Sequence, residues 1–132
     1  MNKTFKELYD WDYIQNPETS LLKHVNKILA KTPNELNVDD ICLLIRQEMF
    51  LDIAVPKAID LIKKNPSIGD NYHFSLLKNL SCMDSSLLPF KAKLLDLIIF
   101  LEHNPRAIIF EEDYEKERFL ESLKRLKAKV NK

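Results

Sequence analysis

Apolar side chains recur every three or four residues along nearly the whole chain, and this spacing predicts helices rather than strands. Residues 4–9 suit one short helical turn, followed by the aromatic, acidic loop "YDWDYIQNP". A helix is expected from Glu18 to Ala30, with Leu21, Leu22, Val25, Ile28 and Leu29 as its stripe. After "KTPNEL", Asn37 is placed to cap the next helix. Its side-chain oxygen can accept an orphan backbone N–H, and Asp39 and Asp40 suit the positive end of the helix dipole. Val38, Ile41, Leu44, Ile45 and Met49 share a face of that helix. Pro56 opens the following run, where a missing N–H is harmless, and Val55, Ala58, Ile59 and Ile62 give the stripe. A short helix is expected from Phe74 to Cys82. Ser85 or Ser86 can cap the next one, with Pro89 in its first turn and its end near Glu102. Its "LLDLIIFL" is apolar on more than one side, which predicts the central helix of a bundle. The last helix should run from Glu112 to Val130, burying Phe119, Leu120, Leu123, Leu126 and Val130.

Asn-Pro occurs at 16–17, 65–66 and 104–105, each time at a helix boundary, since the residue before proline disfavours the α region. Only Gly69 is available for glycine turns, too few for an all-β fold. The fold class is therefore all-α: a compact bundle of about six to seven short helices, forming one domain over residues 1–132. That length can bury a core without disulfides or metal.

Net charge is zero, so no global field draws the chain to nucleic acid or a membrane. Its distribution is uneven. From Arg118 onward there are six Lys/Arg and one Glu, which leaves fourteen basic and nineteen acidic residues, a net of −5, in residues 1–117. The N-terminus lacks the apolar run of a signal peptide, and "ICLLI" and "LIIFL" are far too short to span a bilayer. A cytoplasmic protein is expected. Cys42 and Cys82 both lie in apolar helical stretches and read as buried, reduced thiols.

Chemistry is hard to find. One glycine excludes a phosphate-binding loop. His24, His73 and His103 have no metal-ligand spacing; His73 has only Asp70 three residues before it, which reads as a surface histidine beside an acid. No enzyme activity, cofactor or metal is expected. The lysines of "KRLKAKVNK" alternate with Leu126, Ala128 and Val130 and read as the solvated face of a packed helix. Two surface features remain. In "EEDYEKE", residues 111–117, five of seven residues are acids around Tyr114. They suit either a helix N-terminus or a surface that meets a basic protein. The aromatic–acidic stretches "YDWDY" and "GDNYHF" suit either an interface or the edge of a core.

Residues 36–77, "LNVDDICLLIRQEMFLDIAVPKAIDLIKKNPSIGDNYHFSLL", resemble the immunity proteins of bacterial contact-dependent growth inhibition (CDI) systems. The resemblance rests on Val38, Asp39, Asp40, Leu43, Leu44, Ile45 and Gln47, then Leu51, Val55, Pro56 and Ala58. Asn65, Pro66, Gly69, Asp70, Tyr72, Leu76 and Leu77 complete it. Arg46 stands where the family has glycine, and "HFSLL" departs from its usual ending. The resemblance implies a helical protein, monomeric or weakly dimeric alone, that neutralises the C-terminal toxin domain of its cognate partner. The toxin would usually be a nuclease. The toxin-binding face would then be Asp70, Tyr72 and His73 with Glu111, Glu112, Asp113 and Tyr114. The alternative is a helical adaptor or regulatory subunit with another protein partner; an enzyme using His73 with Asp70 is a weaker third reading.

Overall fold

The computed structural model describes residues 3–131, and among these there are seven α-helices and no strand. By its internal contacts the chain divides into two units, residues 1–40 and 41–132, with the division inside one helix. Each unit is described by itself.

In the first unit, α1 (Phe5–Leu8) is one turn closed by a capping box: Glu7 N–H donates to Thr4 Oγ1 at 3.3 Å and Thr4 N–H to Glu7 Oε1 at 3.1 Å. Helix α2 (Ser20–Leu29) begins two residues later than the apolar pattern predicts. The reason is Thr19, whose hydroxyl accepts the Leu22 N–H at 3.1 Å and so fixes the cap after Glu18. Val25, Ile28 and Leu29 are buried as expected, whereas Leu21, in the first turn, is exposed. The Asn26 amide holds the aromatic loop by bonding both the N–H (2.7 Å) and the carbonyl (3.0 Å) of Ile14. Trp11 and Tyr13 remain surface residues.

Helix α3 (Val38–Gln47) starts where Asn37 predicts. Asn37 Oδ1 accepts the Asp40 N–H at 2.9 Å and Asp40 Oδ2 accepts the Asn37 N–H at 3.0 Å, a reciprocal cap. The Asp40 carboxylate is almost fully buried, and it also meets Lys31 Nζ at 2.6 Å and His24 Nε2 at 2.7 Å. Burial pushes its carboxyl up, but Lys31, the Asn37 N–H and His24 outweigh that and hold it below the usual range.

In the second unit, α3 ends on Glu48 in the left-handed region (φ 53°), with Met49 N–H bonded to the Leu44 carbonyl and Glu48 N–H to that of Ile45. Glycine usually fills such a position. Glu48 is suited to it because its carboxylate accepts the N–H groups of Asp84 (3.2 Å) and Ser85 (2.7 Å), tying down a distant loop. Helix α4 (Leu51–Lys64) begins five residues before Pro56, so Pro56 lies inside the helix and not in its first turn. The break is set by the left-handed Phe50, whose ring is buried, and a local proline signal could not reveal it. Pro56 therefore deletes one donor from the helical ladder.

Helices α5 (Ser75–Ser81), α6 (Lys91–His103) and α7 (Asp113–Val130) complete the unit. α4 packs on α5 and α6, and α7 packs on the same two, so each of the four packs mainly on two of the others. Helix α6 is consequently not enclosed: Leu94, Leu97, Ile98 and Leu101 point inward but Ile99 is 55% exposed. On α7, Phe119, Leu123, Leu126 and Val130 are buried, whereas Leu120 lies at the rim of the stripe and is 51% exposed. The two cysteines also differ. Cys42 is buried. Cys82 is exposed, because α5 ends at Ser81 and Cys82, as its C-cap residue, turns away from the core toward Arg125 Nη1 at 3.2 Å. No helix among the described residues is long and apolar enough to cross a membrane.

Candidate protein-binding site

Two segments of the second unit carry the polar residues singled out above. The first is the loop before α5. It folds tightly on itself at Gly69, where an added Cβ would lie 2.0 Å from Ser75 Oγ and 2.4 Å from the Tyr72 carbonyl oxygen. The buried Ser75 hydroxyl receives the Asp70 N–H at 3.1 Å, and Phe74 N–H reaches the Ser67 carbonyl at 2.8 Å. The Asp70 carboxylate is mostly buried and bonded to Arg46 Nη1. Burial raises its carboxyl, but the Arg46 hydrogen bond and charge hold it below the usual range. Arg46 thus anchors this loop.

The second segment is the entry to α7. Glu115 is its third residue and is 4% exposed. Its Oε1 accepts the Glu111 N–H at 2.8 Å, which satisfies a donor ahead of the helix, while its Oε2 lies 2.9 Å from His73 Nδ1. The Glu111 N–H, with His73 and against the opposing effect of burial, holds the Glu115 carboxyl below the usual range. His73 also lies 3.8 Å from Glu111 Oε2. The acid beside His73 is therefore not Asp70, the sequence neighbour, but Glu115, forty-two residues away. Beneath the surface, Phe74 at the end of the loop, Phe110 just before Glu111, and Phe119 on α7 pack ring to ring with centroids 5.3–5.7 Å apart. This aromatic cluster holds the two segments side by side.

Together they line one open cleft of about 440 Å³ that includes Asp70, Tyr72, His73, Glu111, Glu112 and Tyr114, with Glu115. Asp113 is exposed at the start of α7 and does not line it. Arg118, one turn into α7, places its guanidinium 4.2 Å from the Tyr72 ring centroid and 5.3 Å from that of Tyr114. The two tyrosines are thus held by one cation, beside two exposed carboxylates, Glu111 and Glu112.

Residues 7–98 match the family described as CDI immunity proteins. The chain belongs to that family. No curated protein matches it. The matched residues include the loop that bears Asp70, Tyr72 and His73 and end before Glu111, so one wall of the cleft lies within the match and the other beyond it.

Sequence reasoning missed one residue that lines this CDI immunity protein's cleft, Glu115, and two that hold its walls from outside, Arg118 and Arg46. Glu115 could have been flagged by its place at the third position of a helix, where glutamate often reaches back to the cap, but no Ser or Thr precedes it to complete that signature. Arg118 was grouped with the basic tail, although it stacks on two tyrosines. Arg46 carries no local signal of its role, because its ion pair spans twenty-four residues.

Proposed function

We propose that this CDI immunity protein neutralises a nuclease toxin domain in the cytoplasm by binding it at the cleft formed by residues 69–73 and 111–115. The observation that carries this reading is the convergence of Tyr72, His73, Glu111, Glu112 and Tyr114 from two distant segments on one exposed surface. Tyrosines held at fixed orientation over Arg118 are low-entropy anchors for an interface. Glu111, Glu112 and Asp113 form an exposed acidic rim suited to the basic groove of a nuclease that grips phosphates. Asp70, engaged by Arg46, shapes the loop and presents Tyr72. Interaction with a C-terminal toxin domain also accords with a body that is acidic outside its last helix. Such an inhibitor must outcompete substrate, which implies affinity near the nanomolar range, roughly −12 kcal/mol.

The test is binding kinetics with the cognate toxin domain, together with protection of cells that express it. Reversing charge at Glu111, Glu112 and Asp113 should slow association, most strongly at low salt, because rim charges act on encounter. Tyr72→Ala should speed dissociation at a cost on the order of 2 kcal/mol. Folded variants that bind and protect like the parent would move the interface elsewhere, with the Trp11 loop the next candidate. An adaptor would instead associate with a cellular complex whether or not toxin is present.

A further inference from the structure

His73, Glu111 and Glu115 offer one ligand atom each, and these atoms all lie within 4.8 Å of one another. The set differs from a loose patch of acids in three respects. It joins an imidazole from one segment to two carboxylates from another. Its central carboxylate, Glu115, is buried and has one oxygen fixed by the Glu111 N–H, which leaves the other aimed at His73. A carboxylate oriented by a backbone donor in this way is the usual support of a metal ligand. Finally, Glu111 and Glu115 are like charges held close together, an arrangement that a cation relieves.

The spacing also fits. Two ligands about 2.0–2.1 Å from a tetrahedral zinc ion lie roughly 3.3 Å from each other. His73 Nδ1 is 2.9 Å from Glu115 Oε2 and 3.8 Å from Glu111 Oε2, so both separations need adjustments of only about half an ångström. Glu111 is 71% exposed at its side chain and can move to make that adjustment without disturbing the core.

We propose that His73 Nδ1 and the carboxylates of Glu111 and Glu115 bind one dication of the zinc class, with the remaining coordination positions open to water in the cleft. An imidazole with two carboxylates favours Zn²⁺, Co²⁺ or Ni²⁺ over Mg²⁺ and Ca²⁺, which need more oxygen ligands. Binding would replace the His73–Glu115 hydrogen bond by two bonds to the metal, with His73 coordinating through Nδ1 as a neutral imidazole that carries its one ring proton on Nε2. The ion would clasp the loop before α5 to the entry of α7. The proposal does not depend on the cleft meeting a toxin.

The experiment is titration of the chelator-treated full chain with Zn²⁺ by calorimetry at neutral pH, alongside Co²⁺ titration followed by visible absorption. One saturable site with low-micromolar affinity is expected. His73→Ala and Glu111→Gln should each weaken it by roughly ten- to a hundredfold and alter the Co²⁺ spectrum. Asp113→Asn and His103→Ala should leave it unchanged. Glu111 and His73 are exposed, so these variants should fold, which circular dichroism checks; Glu115→Gln is informative only as a supplement. The absence of saturable binding would overturn the proposal. So would binding that survives in both His73→Ala and Glu111→Gln, or Mg²⁺ and Ca²⁺ binding as tight as Zn²⁺.

Discussion

Replacing Gly69 by Ala adds one methyl group to a protein of 132 residues, and the structure gives its effect a sign and a size. Gly69 does not have a positive φ, so backbone conformation alone would tolerate alanine. In that case the smaller entropy of the unfolded chain would stabilise the variant by about 0.4–1 kcal/mol. Close approach opposes this. The new Cβ would sit 2.0 Å from Ser75 Oγ, 2.9 Å from Ser75 Cβ and 2.4 Å from the Tyr72 carbonyl oxygen. A serine hydroxyl can rotate, but this one is buried and holds the Asp70 N–H, so rotation forfeits a hydrogen bond of about 0.5–1.5 kcal/mol. The carbonyl cannot rotate away, and moving the backbone is an overpacking cost of about 1–3 kcal/mol. The steric terms exceed the entropic one, and a net loss of about 1–3 kcal/mol is expected. Urea denaturation at unchanged m-value measures it. Toxin binding should weaken as well, because Tyr72 and His73 ride on the displaced turn. Equal or greater stability in Gly69→Ala would refute the close-approach reasoning.

Ile98→Ala, or Leu44→Ala, should cost about 2–5 kcal/mol through lost burial and a residual cavity, measured by the same denaturation; a change within about 0.5 kcal/mol would misplace those side chains. Asp40→Asn should flatten the acid limb of a thermal-stability profile. Because the Asp40 carboxyl is lowered in the folded state, its contribution is fully present above about pH 4 and is lost as pH falls through the lower folded value. In native protein a thiol reagent should modify Cys82 quickly and Cys42 only on unfolding, and replacing both should leave toxin protection intact.

The helical class and most helix positions could be read from apolar spacing, and Asn37 marks the start of α3 because a cap is a local signal. The shift of the α4 start has a physical reason. Glu48, Phe50 and Phe74 adopt the left-handed conformation without glycine, so three helix boundaries lack their usual punctuation. Two of them are held by something distant: the Asp84–Ser85 loop in the case of Glu48, the aromatic cluster in the case of Phe74. The residues of the cleft could be picked out as chemically apt, but their partners could not. Glu115, Arg46 and Arg118 act across the fold, and no periodicity encodes a contact between positions 73 and 115.

The phenylalanine cluster has one more consequence. Phe74, Phe110 and Phe119 secure the roots of the loop and of the α7 entry, so the polar tips above them carry little of the packing. Glu111 and Glu112, both exposed, can then be exchanged with small loss of stability, since surface substitutions away from such anchors typically change it by no more than about 0.5 kcal/mol. For a lineage pressed to follow a changing adversary, this separates what must be kept from what is free to drift. On the proposed toxin-binding face, recognition could be rewritten one tip at a time while the rings below go on specifying the same fold.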